Sequence, residues 1–362
     1  MRIGLIVYGS LDQRSGGYLY DRQLVATLRA RGHSVAVFPL PRRAAYWHHL
    51  ADNADSGLER AARRWRPALL LQDELCHPSL LGRNPRLRAR LGCPLVAIVH
   101  HLRADEGWPA PERALYAALE RRYLRTVDGL ICNSRTTRAR AAAIAGTRQP
   151  AVVAYPGGDR LGGPLPPQAI AARARRSGPL RVLFVGNIIR RKGLHVLLAG
   201  LARLPAASWQ LTVVGSEGAE PRYARGVRAL AARLGCAGQV TWHGPLCDSA
   251  LAACFRAADV LAVPSGYEGF GIVYLEGMAF GLPALATTAG AAHEIVATGR
   301  NGFLVPPNDP AAIARCLAPL VGNRTALERL SLAARARYLA HPSWAASMAR
   351  AVAFVERMAQ GR

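Results

Sequence analysis

The chain has 362 residues, 51% of them hydrophobic, and a formal net charge of +24. That length favours two hydrophobic cores over one, and with no run of 18 or more apolar residues nothing in it reads as a membrane span. Seven cysteines, at positions 76, 93, 132, 236, 247, 254 and 316, form no C-x-x-C pair and are odd in number, which argues against a disulfide framework or a zinc site and for a reducing cytoplasm.

The charge invites a nucleic-acid partner, but its spread argues otherwise. Residues 1–165 carry 25 Arg against 13 acids, and the remainder carries 22 cations against 10 acids, so each part holds +12. No aromatic platform or zinc-finger spacing accompanies the basic residues, and no nucleic acid is expected. Local clusters at Arg60, Arg63, Arg64 and Arg66, at Arg83, Arg86, Arg88 and Arg90, and at Arg121, Arg122 and Arg125 suit a weak association with an anionic membrane surface.

In chain order, Ile3–Tyr8 reads as a first strand, too short and too soon broken for a signal peptide. Gly16 and Gly17 follow in a loop that lets a ligand approach the backbone, and a helical pattern covers Tyr18–Arg31. Strands are expected at Ser34–Phe38, Ala68–Leu71, Leu95–Val99, Gly129–Cys132 and Ala151–Ala154, with a helix at Glu112–Thr126. His100 and His101 end the strand Leu95–Val99, at the edge where a ligand of a parallel sheet binds. Pro and Gly then collect from Tyr155 to Pro179, with the linker placed at 166–179.

The alternation restarts with strands at Arg181–Gly186, Gln210–Val214, Val240–Trp242, Val260–Val263, Pro283–Thr287 and Gly302–Val305. Short apolar strands alternating with helices predict two doubly wound α/β domains, 1–165 and 180–342, with a last helix over about 343–362 that packs back on the first domain. After the first strand of the second set comes Gly186-Asn187-Ile188-Ile189-Arg190-Arg191-Lys192-Gly193, which holds the only lysine among 47 cations. An ammonium on a flexible stem is a point charge suited to phosphate oxygens, where guanidinium is a planar fork. After the fourth comes Glu268-Gly269-Phe270-Gly271-Ile272, opening a helix that carries Glu276. The two carboxylates suit hydroxyls of a sugar and a ribose, and the amides of Phe270, Gly271 and Ile272 suit phosphate oxygens. Neither a Walker-type phosphate loop nor a G-x-S-x-G turn is present, which counts against nucleotide hydrolysis and against esterase chemistry.

Ser15-Gly16-Gly17, Asn133-Ser134, Pro156-Gly157-Gly158-Asp159, Arg191-Lys192-Gly193, Glu268-Gly269-Phe270-Gly271 with Glu276-Gly277, Gly281-Leu282-Pro283 and Asn301-Gly302-Phe303 occur in order along nearly the whole chain. In this the sequence resembles the retaining glycosyltransferases of the GT-B fold, family 4. The resemblance implies two Rossmann-like domains facing across a cleft, the first binding the acceptor and the second a nucleotide diphosphate sugar, UDP- or GDP-linked. It implies that Lys192 with an Arg holds the diphosphate and that Glu268 holds the donor sugar, with Gly269, Phe270, Gly271 and Ile272 beside it. It further implies that Glu276 binds the ribose, that Gly186, Gly215, Ser216 and Leu246 frame the nucleotide, and that Gly16, Gly17 and His100 or His101 serve the acceptor side.

The departure from the family pattern is Asn187, where many members carry the phosphate-binding Arg. Arg190 or Arg191 takes that place here, with Arg191 preferred. The expected reaction is metal-independent glycosyl transfer with retention to a glycan or lipid-linked acceptor in envelope polysaccharide or lipopolysaccharide synthesis, at the inner face of the cytoplasmic membrane. The rival readings are a sugar-nucleotide epimerase or sugar-phosphate-utilising transferase on the same fold, and a basic binding protein without catalysis.

Overall fold

The structure, a computed structural model, describes residues 1–146 and 149–361, so Arg362 of the expected terminal helix lies outside it. The chain divides into two compact units, Met1–Pro156 with Pro342–Arg362, and Gly157–His341.

The first unit holds the six-stranded parallel sheet β2-β1-β3-β4-β5-β6, made of β1 (Arg2–Tyr8), β2 (Ser34–Leu40), β3 (Leu69–Asp73), β4 (Leu95–Val99), β5 (Gly129–Cys132) and β6 (Ala151–Val153). β3 and β4 are buried at every position, as strands covered by helices on both faces must be, which is why they read as unbroken apolar runs. β2 carries Pro39 and lies at the sheet edge, the position where a strand tolerates a missing N–H.

The second unit repeats the plan in the order β12-β11-β10-β7-β8-β9, from β7 (Leu180–Val185), β8 (Trp209–Val214), β9 (Val240–His243), β10 (Val260–Ala262), β11 (Ala284–Thr287) and β12 (Gly302–Val305). The twelve strands among the described residues fall on the segments expected from the sequence, with no end moved by more than two residues.

The linker expectation is corrected. Residues 167–174 form a helix whose Ile170 is buried and whose Arg173 donates to the carbonyls of Phe280 and Gly281 at 2.7 and 2.8 Å. The helix is therefore part of the second unit, and the boundary falls between Pro156 and Gly157. Pro167 opens the helix at its first position, where the missing N–H would have had no partner anyway, so the prolines mark a helix start and not a linker.

The last helix, Trp344–Gln360, belongs to the first unit. Trp344, Ser347, Met348, Ala351, Val352 and Val355 form its buried stripe, and Ser343 caps it by accepting from the Ala346 N–H. Its Glu356 meets His33 at 3.0 Å, and the Trp344 ring stands edge-on to Tyr20 at 5.9 Å. No helix among the described residues is long and apolar enough to cross a membrane.

Candidate functional site

In a parallel sheet ligands bind beyond the carboxyl ends of the strands, where the strand order reverses. In the second sheet that reversal lies between β7 and β10, so the loops after these two strands must meet. The β7 loop bears Lys192 on a short 3₁₀ turn, Arg190–Lys192, and the β10 loop bears Glu268. Two backbone features bring them together. Gly193 has φ +70°, and a Cβ there would stand 2.1 Å from the Pro264 carbonyl oxygen; only glycine permits both the left-handed turn and the approach. The Gly266 N–H then donates to the Arg191 carbonyl at 2.7 Å.

At this junction the Lys192 ammonium donates to Glu268 Oε1, which also accepts from Ser265 Oγ at 2.8 Å. A terminal nitrogen of Arg191 lies 3.8 Å from the same oxygen and donates to the Tyr267 carbonyl at 2.8 Å. The Glu268 backbone is fixed by bonds to Ala289 and Ala291, at 3.3 and 2.8 Å. Burial alone would push the Glu268 carboxyl up, but Lys192, Arg191 and the Ser265 hydroxyl hold it down at about 2. Burial draws Lys192 below the ordinary lysine range, and Glu268 offsets only part of this. The junction therefore presents a carboxylate that stays ionised beside two cations, a set able to accept from hydroxyls and to neutralise phosphate oxygens.

The two neighbouring arginines part company. Arg190 is exposed, with its guanidinium 5.7 Å over the Tyr223 ring and its N–H donating to Glu220 at 3.0 Å. Only Arg191 joins Lys192 and Glu268. Asn187 is half-buried, with its carbonyl accepting from Ile189 at 2.9 Å. Gly186 and Gly215 touch through their backbones, since a Cβ on Gly215 would fall 1.9 Å from the Gly186 carbonyl. Ser216 Oγ accepts from the Gly218 N–H at 3.1 Å, and Leu246 lies half-buried past the end of β9.

Gly269 and Phe270 are buried, with the Phe270 ring against His341 at 5.6 Å. Gly271, at φ +91°, caps the helix Ile272–Ala279 without any side-chain cap bond, so the first amides of that turn have no intrahelical acceptor. Glu276 is buried on the same helix and held by Arg160, whose Nε and a terminal nitrogen each lie 2.9 Å from Oε1. Burial raises the Glu276 carboxyl, with Arg160 pulling against it.

In the first sheet the order reverses between β1 and β3; of the sequence-expected residues, Gly16 and Gly17 open the first helix and His100 and His101 follow the end of β4. Ser15 caps the helix Gly16–Ala30, accepting from the Tyr18 N–H. Gly17 faces the His100 ring, so that a Cβ there would lie 3.1 Å from Cδ2. His100 Nε2 meets Asp21 Oδ1 at 3.1 Å, and both are buried. Burial would lower the His100 imidazole, but Asp21, and then Asp73 and Glu74, lift it to about 9. His101 instead meets Glu106 at 2.8 Å.

Around His100 lie buried acids that sequence reasoning missed. Asp21, Asp73 and His100 have ligand-type atoms within 4.8 Å of one another, and so do Glu74, His77 and Glu120. Burial holds Asp73, Glu74 and Glu120 well above the ordinary carboxyl range. Asp21 lies one turn after Gly17, and Asp73 ends the apolar run of β3. Those positions beside a strand end were the available signal. Ser265 and Arg160 were missed too, each lying only a few residues from a motif glycine or glutamate.

Residues 14–160 match the family model described as Glycosyltransferase Family 4, and residues 167–337 match that of Glycosyl transferases group 1. The D-inositol 3-phosphate glycosyltransferase of Streptomyces scabiei is 35% identical over 267 residues, 68% of this chain and 59% of that protein. Across six such enzymes the chain spans 38% to 60% of the relative's length. Among solved structures, sucrose-phosphate synthase of Thermosynechococcus elongatus superposes with TM-score 0.85 at 23% identity, covering 100% of both chains. HepE of Anabaena, solved with UDP and glucose, gives 0.76 at 20% identity, over 98% of this chain and 99% of its own. With both units matched in order and both sheets shared, the chain has the GT-B fold and belongs to the group 1, family 4 glycosyltransferases.

Proposed function

We propose that the protein transfers a glycosyl group from a nucleotide diphosphate sugar to an acceptor hydroxyl with retention of anomeric configuration. The observation that carries this is the junction of Lys192, Arg191 and Glu268 at the strand-order reversal of the second sheet. Breaking a glycosidic bond to a nucleoside diphosphate builds negative charge on the departing phosphate. Lys192 and Arg191 meet that charge, which is electrostatic stabilisation of the leaving group by preorganised cations. Glu268, ionised far below neutrality, accepts hydrogen bonds from hydroxyls of the donor sugar, and the amides at Gly271 and Ile272 take phosphate oxygens.

In this reading the Lys192–Glu268 pair is the resting form of the site, and donor phosphate draws the ammonium away from the carboxylate. Two cations on the diphosphate do the work that a divalent ion does elsewhere, so turnover is expected to be metal-independent. Retention follows a front-face course: the acceptor hydroxyl attacks the anomeric carbon on the side from which the diphosphate leaves, the bond to the diphosphate oxygen breaks, and the hydroxyl proton passes to a departing phosphate oxygen.

The acceptor is assigned to the first unit, with Gly16 and Gly17 opening the helix Gly16–Ala30 and His100 following the end of β4. His100 as an imidazolium is a hydrogen-bond donor to a sugar or phosphate oxygen. A glycan or lipid-linked saccharide of the cell envelope is the proposed acceptor, and anionic lipid beneath the basic clusters of the first unit the proposed setting, on the cytoplasmic side of the membrane. HepE of Anabaena, of like fold and solved with UDP-glucose, supports a nucleotide sugar donor.

The test is a panel of UDP- and GDP-sugars incubated with sugar and lipid-linked acceptors in the presence of a chelator, with the product read by NMR for its anomeric configuration. Product that forms only with acceptor, keeps the donor's configuration and survives chelation supports the reading. Conversion of the sugar without any acceptor would instead establish an epimerase.

A further inference from the structure

The guanidinium of Arg160 sits between two acids of the second unit. Its Nε and one terminal nitrogen converge on Glu276 Oε1, each at 2.9 Å, while its other terminal nitrogen donates to Asp248 Oδ1. Asp248 opens the helix Asp248–Ala257, two residues after Leu246. Arg160 itself lies on the 3₁₀ turn Asp159–Leu161.

The pairing is lopsided. Both nitrogens take the same oxygen of Glu276, and Oε2 is bonded by no described residue. Glu276 is 4% exposed, so its carboxyl cannot rotate freely into solvent. An acid this buried prefers its neutral form, and a neutral carboxyl offers one donor where an ionised one offers only acceptors. Asp248 is exposed and anchors the far side of the guanidinium without competing for Glu276.

We propose that Arg160 is a positioning and specificity residue for a ribonucleoside diphosphate. It consumes Oε1 of Glu276, fixes the carboxyl plane and leaves Oε2 as a single ionised acceptor for the vicinal 2′- and 3′-hydroxyls of a ribose. Asp248 holds the guanidinium in the orientation that makes this possible. The proposal rests on the assignment of Glu276 to the ribose. It adds that the discrimination of ribose from deoxyribose is set by a residue outside every glycine-rich motif of the chain.

The competing role for Arg160 is a structural clip, tying its turn to the helices Asp248–Ala257 and Ile272–Ala279. A clip affects every nucleotide alike, whereas a positioning residue affects the hydroxyl-dependent part of binding. The experiment is calorimetric titration of the full-length protein with UDP, GDP and their 2′-deoxy and 3′-deoxy forms, using wild type, Arg160→Ala, Arg160→Lys and Glu276→Gln. Wild type should bind the ribonucleotide about tenfold or more tighter than the deoxy forms, the worth of one hydrogen bond to a charged acceptor. Arg160→Ala should lose that factor for the ribonucleotide and change little for the deoxy forms, and Arg160→Lys should restore part of it. In turnover, Arg160→Ala should raise the donor KM with kcat nearly unchanged.

Equal weakening of ribo and deoxy forms by Arg160→Ala, with Glu276→Gln still abolishing discrimination, would overturn the proposal and leave Glu276 as the ribose residue. Intact discrimination in Glu276→Gln would overturn both assignments, as would the absence of binding by any of these nucleotides.

Discussion

The two units solve the same topological problem with opposite electrostatics. Each sheet reverses its strand order once, between β1 and β3 and between β7 and β10, and each places ionisable groups there. In the second unit a buried carboxylate is held ionised at about 2 by two cations. In the first, burial holds Asp73, Glu74 and Glu120 toward their neutral forms, and His100 beside Asp21 and Asp73 is lifted to about 9. The difference teaches that topology decides where a site lies, and that local charge pairing decides what it can do. A cation-rich junction suits a diphosphate, and a proton-holding junction suits neutral hydroxyls.

Several changes would break or sharpen this contrast. The largest effect is expected from Glu268→Ala, which removes the acceptor and leaves Lys192 without its partner. Turnover should fall about 10²–10³-fold, the usual loss for one preorganised polar group, as measured by initial rates on the donor that the panel selects. A binding protein without catalysis would keep its function in this variant.

For stability the largest effect is expected at Gly193→Ala. The added Cβ would meet the Pro264 carbonyl at 2.1 Å with φ +70°, so the loss should exceed about 1 kcal/mol, read by denaturant unfolding. The change should also lower turnover, because it pushes apart the loops bearing Lys192 and Glu268.

The pH dependence of stability should separate the units. A carboxyl whose folded value is raised binds protons in the native state that the unfolded chain has lost, so its contribution falls as pH climbs from the ordinary carboxyl range through the raised value. Asp73, Glu74 and Glu120 act in this sense. His100 stabilises fully below its ordinary value of 6.5 and loses this as pH rises through about 9. Both effects weaken the first unit between pH 6 and 9. Glu268 acts in the other direction, stabilising above the ordinary carboxyl range and losing this only as pH falls toward 2. The buried Glu276 of the second unit is also raised and acts in the same sense as the first unit's acids, so hydrogen exchange, corrected for intrinsic rates, should show protection of β1, β3 and β4 falling further from pH 6 to 9 than that of β7 and β10.

The smallest effect is expected from Gly17→Ala. Its Cβ would press on the His100 ring at 3.1 Å, a distance that a shift of a few tenths of an ångström relieves. The acceptor KM should change several-fold, with donor binding unaffected.

Most of the fold was legible because its strands are buried on both faces and read as short apolar runs between helical stretches. Leu95–Val99 is such a run and was placed to the residue. The linker was misplaced because Pro166-Pro167 breaks a pattern in sequence whether it ends an element or opens a helix. In the second unit Lys192, Glu268 and Glu276 stood out through a singular lysine and the glycines around them. Asp21, Asp73 and Arg160 did not, because a lone acid or arginine has no local pattern, and only the fold brings partners from distant segments beside it.

The central claim is that Lys192 neutralises the departing diphosphate. The most direct measurement is the turnover of Lys192→Ala against wild type with the nucleotide sugar that the panel selects, with folding verified by circular dichroism and hydrogen exchange. The account predicts a fall of about 10²–10³-fold in kcat with the fold intact. Transfer at the wild-type rate by the folded variant would contradict it.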